Sequence, residues 1–113
     1  MSECIFCKIA KGEIPSNIIY SDDLIIAFND IAPKAPIHIL IIPREHLMSS
    51  SELTSDHGEL LSRIFIVADD LAKETGVDTS GYRILTNNGE NAGQTVSHLH
   101  FHLLGGKELG DLG

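Results

Sequence analysis

Three histidines alternate with apolar residues in His98-Leu99-His100-Phe101-His102-Leu103-Leu104, which is the two-residue period of a β-strand. In a strand the three imidazoles share one face, and Leu99, Phe101 and Leu103 share the other. Imidazole has an unperturbed pKa of about 6.5, so near neutral pH it serves as nucleophile, base or cation. Residues two apart on a strand face lie roughly 6.6 Å apart, which puts His98 and His102 about 13 Å from each other and unable to act on one atom. The expected reactive group is therefore the middle residue, His100, with His98 and His102 binding or holding what surrounds it. A single histidine here would read as solvated surface; three in register beside a glycine-bearing loop read as a reaction site.

The loop over residues 87–94 leads into this segment, and Gly89 and Gly93 permit backbone geometries that point N–H groups at an anion. Thr95 adds a hydroxyl. A hairpin connection calls for glycine in any case, so it is the position of the loop beside the triad that favours a functional reading. His38 interrupts the apolar run Ile37-His38-Ile39-Leu40-Ile41-Ile42, where a buried imidazole can bridge to the triad strand and orient a ring there. His57 reads as surface. Cys4-Ile5-Phe6-Cys7 supplies half of a tetrahedral zinc site, with His46 and His98 as candidates for the other half; the alternative is a pair of buried thiols. Such an ion would be structural, and the chemistry proposed for His100 needs no cofactor.

Composition narrows the classes of partner. At 113 residues the chain has room for one core, so residues 1–113 are expected to form a single domain. A net charge of -8 speaks against nucleic acid, whose binders cluster Lys and Arg, but it leaves room for a small anion held by imidazole, hydroxyl and backbone N–H. The longest apolar run, Ile37 to Ile42, falls far short of the roughly 20 residues of a membrane span, so no membrane partner is expected. Met1-Ser2-Glu3-Cys4 lacks the basic start of a signal peptide, and two closely spaced cysteines make no disulfide scaffold. The expected compartment is the cytoplasm.

The elements that must position these residues follow from periodicity. Ile5, Phe6, Ile9 and Ala10 recur at helical spacing with Gly12 beyond them, which predicts a short helix over 4–11. Residues 18–20, 24–29 and 37–42 are short and β-branched, separated by Ser21-Asp22-Asp23 and Pro33-Lys34-Ala35-Pro36, as in an antiparallel meander that Pro43 ends. A stripe of Leu60, Leu61, Ile64, Phe65, Val67, Ala68, Leu71 and Ala72 predicts an amphipathic helix. Asp56 and Glu59 stand at capping-box spacing before it, Thr54 or Ser55 are alternative caps, and Gly76 sits where a left-handed terminator is wanted. Residues 82–86 and 96–104 read as two further strands. The expected fold class is α+β, a five-stranded antiparallel sheet with one long and one short helix.

Several segments together, Ile5-Phe6-Cys7-Lys8-Ile9, Glu13-Ile14-Pro15, Ala27-Phe28-Asn29-Asp30-Ile31, Ala35-Pro36-Ile37-His38 and Gly93-Gln94-Thr95-Val96-Ser97 followed by the triad, resemble the histidine triad family of nucleotide hydrolases and transferases. The resemblance implies that His100 attacks the α-phosphorus of a purine nucleoside phosphoramidate or related ester, giving a nucleotidyl-histidine that water hydrolyses. It implies that the His98 carbonyl orients the His100 ring, that His38 supports the triad, and that His102, Thr95 and Asn87 contact the phosphate or the leaving group. The loop residues Gly93 and Gln94 join this nucleotide-binding set. Asp30 would take the ribose hydroxyls, and Phe6, Ile9, Phe28 and Ile31 would form an apolar slot for the purine.

Asn87 and Leu104-Gly105-Gly106 resemble the phosphoramidase branch, although Thr95 stands where that branch usually has serine and residues 107–113 lack its Trp-Pro-Pro-Gly. The alternatives are a dinucleoside polyphosphate hydrolase and a nucleotide-binding regulatory protein with little catalysis. The family also pairs through its long helix and a strand, which implies a homodimer formed by residues 59–74 and 81–86 with the sheet extended across the interface.

Overall fold

The computed structural model describes residues 4–111; residues 1–3, part of the start read as lacking a signal peptide, and residues 112–113 lie outside the described residues. Five strands, β1 (Ile18–Ser21), β2 (Ile25–Asn29), β3 (Ile37–Pro43), β4 (Tyr82–Leu85) and β5 (Phe101–Gly105), form one antiparallel sheet in the order β1-β2-β3-β5-β4. Helix α1 (Ile5–Ala10) precedes the sheet and α2 (Gly58–Thr75) crosses one face of it. A one-turn helix, α3 (Val77–Ser80), was not expected from the sequence.

The alternation in β3 organises the packing. Ile39 and Ile41 point to one face, where Ile25, Ala27, Phe101 and Leu103 meet Ile64, Val67, Ala68 and Leu71 of α2 in the main core. Leu40 and Ile42 point to the other, where Ile26 and Phe28 meet Phe6 and Ile9 of α1 in a smaller core. Burying a side chain of this size contributes about 1.5–3 kcal/mol, so both helices are held by apolar area. His38 shares the α1 face, two residues from Leu40. The triad histidines occupy that face as well, because Leu99, Phe101 and Leu103 belong to the other core.

Two polar brackets fix the edges. Asp22 accepts from the N–H groups of Leu24 and Ile25, from Tyr20 Oη and from Arg63, which ties the β1–β2 turn to α2. Burial opposes ionisation of this carboxyl, yet the donors prevail and hold its pKa at about 2. Arg44 donates to the carbonyls of Asp22 and Ala10 and to Ser21 Oγ, so the end of α1 is fastened to the same hairpin.

Four local expectations are corrected. The strand expected over 96–104 pairs in the sheet only over Phe101–Gly105, since β3 and β4 offer partners no further than Ile41 and Leu85. Upstream, the chain is held by off-ladder bonds such as Leu99 N–H to the Leu47 carbonyl at 2.6 Å. Glu59 does not cap α2; it pairs with Arg63, while Thr54, one of the alternative caps, opens a 3₁₀ turn, Ser55–His57, ahead of the helix. His57, read as surface, is half-buried there and accepts the Thr54 N–H on Nδ1 in the role expected of Glu59. Gly76 does end α2 in the left-handed region, at φ 82°. Phe65, expected in the buried stripe, is 49% exposed, because it lies at the margin of the arc that Leu60, Ile64, Val67, Ala68 and Leu71 bury.

Candidate active site

A cavity of about 310 Å³ opens on the α1 face of the sheet. Of the residues expected to hold a nucleotide, Phe6, Ile9, Phe28, Asp30, Ile31, Thr95, His100 and His102 line it. Asn87, Gly93 and Gln94 do not. The Gln94 amide is committed to the loop, donating to the Met48 and Val96 carbonyls and accepting from Gly89 N–H, and Gly93 closes a 3₁₀ turn at φ 91°. Sequence reasoning missed Ile5, Ile14, Pro15, Ser16, Asn29, Leu40 and Val96 as lining residues. Two of them carried a signal: Leu40 lies two residues from His38 on one strand face, and Val96 lies two before His98. A larger depression of about 470 Å³ beside Ser49, Glu52, Gln94 and Ser97 contains no imidazole.

Backbone groups assign the proton on each imidazole. His100 Nδ1 lies 2.7 Å from the His98 carbonyl, which can only accept, so the proton is on Nδ1 and the Nε2 lone pair is free. His100 lines the cavity, and among the described residues no buried side-chain nitrogen lacks a partner, so the unbonded Nε2 is open to solvent. Lys34 N–H donates to His38 Nδ1 at 3.0 Å, which leaves the His38 proton on Nε2. That proton is donated to His102 Nδ1 at 2.9 Å, with Asp30 Oδ2 3.4 Å away. His102 then carries its proton on Nε2. A lone pair and an N–H donor therefore stand side by side, on rings with centroids 5.1 Å apart. Phe6 meets the His100 ring edge-on at 5.1 Å and the Phe28 ring at 5.6 Å, which makes an aromatic wall next to His100.

His98 faces away from this cavity. Its Nε2–H donates to the Pro43 carbonyl at 2.9 Å, so its Nδ1 lone pair turns toward the cysteines. There Cys4 Sγ, Cys7 Sγ and His46 Nδ1 lie 3.4, 3.5 and 3.2 Å from it, and Cys7 Sγ lies 3.2 Å from His46 Nδ1. In a tetrahedron with Zn–N of about 2.0 Å and Zn–S of about 2.3 Å, ligand atoms stand roughly 3.3–3.8 Å apart, so this donor set fits zinc. The Pro43 carbonyl fixes the tautomer that a ligating imidazole needs. Asp30, His38 and His102 also converge, but His38 Nε2 bears a proton and cannot ligate.

A family model described as HIT domain matches residues 11–109. The chain belongs to the HIT family. The purine nucleoside phosphoramidase of Escherichia coli strain K12 is 46% identical over 110 residues, covering 97% of this chain and 92% of that protein. An HIT family hydrolase from Clostridium thermocellum superposes with a TM-score of 0.95 at 46% identity, covering 99% of this chain and 97% of that one. A histidine triad protein from Clostridium difficile gives 0.94 at 45% identity, over 100% and 98% of the two chains.

Burial governs the charge state of this HIT site. Desolvation, reinforced by His100 and His38, pushes His102 down to about 4 against the opposing pull of Asp30. Desolvation lowers His38 too, again opposed by Asp30. At neutral pH both rings are uncharged, which is the condition for the relay from Lys34 to His102. The folded pKa of His102 lies below its unfolded value of about 6.5, so its contribution to stability is complete above pH 6.5 and is lost as pH falls toward 4. Asp22 titrates below that window. The melting temperature should therefore fall between pH 6.5 and 4, with a shallower slope in His102→Gln; parallel slopes would contradict the assignment.

Proposed function

We propose that this protein hydrolyses purine nucleoside phosphoramidates, and related nucleoside monophosphate esters, through a nucleotidyl intermediate on His100. The observation that carries this reading is the bond from His100 Nδ1–H to the His98 carbonyl, which leaves a directed Nε2 lone pair in a cavity walled by aromatic and aliphatic side chains. The 46% identity to a named phosphoramidase supports it.

The purine lies among Phe6, Ile9, Phe28 and Ile31, and Asp30 accepts from the ribose hydroxyls. Asp30 is already oriented, since its Oδ1 accepts from Ala32 N–H. The α-phosphate rests on the Thr95 hydroxyl and on His102 Nε2–H. His100 Nε2 attacks phosphorus, the P–N bond to the leaving amine breaks, and its electron pair departs with the amine, which takes a proton from solvent that the attacking water returns in the second step. Water then attacks the same phosphorus, the P–Nε2 bond breaks, and a nucleoside monophosphate and neutral His100 are released. Splitting one displacement into two lowers each barrier. A neutral His102 suits the role, because it donates a hydrogen bond while the adjoining His100 keeps its lone pair.

His100→Ala should retain less than about 1% of phosphoramidate turnover while still binding purine nucleotide. Intact-mass measurement of protein quenched during turnover should show a nucleoside monophosphate adduct on the wild type and none on the variant. Absence of an adduct, or activity above that level in the variant, would contradict the mechanism. An inert phosphoramidate with a dinucleoside polyphosphate turned over would favour the other hydrolase of this family.

Two structural features complete the proposal. A zinc ion held by Cys4, Cys7, His46 and His98 would close a tetrahedral site with no open position, and would tie α1 to the segment that carries His100. A symmetric homodimer would form on β4, which is an edge strand, and on the exposed Phe65 and Ile66 of α2, joining two sheets. Among the described residues no helix is long and apolar enough to cross a membrane, and the two free thiols suit the reducing cytoplasm. Native mass spectrometry of protein purified without added metal should give a dimer with one zinc per chain. A monomer mass at micromolar concentration would remove the interface, and a metal-free mass would leave the cysteines as thiols.

A further inference from the structure

Thr86 follows the last residue of β4, and its side chain reaches the backbone of the nucleophile: Thr86 Oγ1 donates to the His100 carbonyl at 2.7 Å. This bond sits where the sheet runs out. The β4–β5 ladder ends at Leu85 opposite His102, and the β3–β5 ladder ends at Ile41 opposite Phe101, so neither flanking strand pairs with His100. A peptide outside the ladders takes its orientation from whatever other hydrogen bonds it makes. For this one they are few. The preceding peptide is pinned through Leu99 N–H to the Leu47 carbonyl at 2.6 Å, and the His100 ring is pinned through Nδ1–H to the His98 carbonyl. Those bonds set where the chain enters residue 100 and how the imidazole is turned. Neither holds the His100 carbonyl.

We propose that Thr86 is a positioning residue for His100, its hydroxyl fixing the peptide that carries the nucleophile and with it the place of Nε2; the role rests on His100 forming the nucleotidyl intermediate. Thr86 does not line the cavity, so it touches no substrate. Its shape alone does not explain it. Valine would fill the same volume and suit a strand end equally well, but it has no donor, and a half-buried carbonyl left unpaired turns toward another partner. In-line attack tolerates little of such movement, since a displacement of about 1 Å at a reacting atom can cost on the order of a hundredfold in rate. Loss of one bond at one peptide moves the ring less than that, and the expected loss is about tenfold in kcat.

Steady-state and single-turnover kinetics on a purine nucleoside phosphoramidate, with wild type, Thr86→Val, Thr86→Ser and Thr86→Ala, test the role. Thr86→Val should lower kcat and the nucleotidylation rate about tenfold while KM changes less than about twofold, because ground-state contacts are untouched. Thr86→Ser, which keeps the hydroxyl, should return to within about threefold of wild type. Thr86→Ala should lose as much as the valine variant, and it carries the same readout if the valine variant does not fold. Wild-type rates in Thr86→Val, a rise in KM at constant kcat, or a serine variant as slow as the valine one would each overturn the role of the hydroxyl. A wild type inert on phosphoramidates overturns the reaction and the role together, whereas an active wild type matched by Thr86→Val overturns the role alone.

Discussion

A carbonyl oxygen can only accept a hydrogen bond, and the site depends on that one-way rule applied to His100. The His98 carbonyl at 2.7 Å holds the His100 proton on Nδ1, so the opposite nitrogen keeps the lone pair that faces the cavity. The same rule orders the neighbouring rings. Pro43 places the His98 proton on Nε2 and turns its Nδ1 toward Cys4 and Cys7. Lys34 N–H, which can only donate, sends the His38 proton to Nε2 and from there imposes the opposite tautomer on His102. Three imidazoles spaced two residues apart thus acquire three different hydrogen-bonding environments, and the assignment traces back to main-chain atoms, directly for His98 and His100 and through the His38 ring for His102.

Main-chain atoms can do this only if the backbone is rigid, and the packing supplies that rigidity from both sides. The α2 face buries Leu99, Phe101 and Leu103, the residues that alternate with the triad, so the segment is anchored by its apolar half. On the other side α1 brings Phe6 against both His98 and His100, with ring centroids 5.9 and 5.1 Å apart. Helix α1 has only 6 residues and would not persist by itself, since isolated helices below about 12 residues are marginal. It is held by Phe6 and Ile9 in the smaller core, by Arg44 at its C-terminal end, and at its start by the cluster of Cys4, Cys7, His46 and His98. The wall of the cavity and the support of His100 are therefore one assembly.

Much of this could be read before any coordinates. The alternation through the triad, the short strands around Asp22 and Pro33, and the stripe on α2 are periodic patterns, and the sheet and its helices follow them. The four residues of the cysteine and histidine cluster were legible from ligand chemistry and came together in space. What escaped was set by partners distant in sequence. Nothing near Val96 announces that the ladder stops at Phe101, because that limit is set by distant residues: β3 pairs with β5 no further than Ile41, and β4 ends at Leu85. Gln94 has the composition of a ligand-binding loop residue, yet its amide is engaged by Met48, Gly89 and Val96. His57 replaces an expected acid in a cap because the capping residue is Thr54, which puts residue 57 rather than 59 at the reciprocal position.

The central claim is that backbone acceptors and donors fix a different tautomer on adjacent triad rings, and long-range proton–nitrogen correlation spectra of the imidazoles measure it directly. At about pH 8, where unpaired imidazole is neutral, His100 should show its proton on Nδ1 with Nε2 as an acceptor-type nitrogen, and His102 the reverse. A His100 proton on Nε2, or both rings in the same tautomer, would contradict the account.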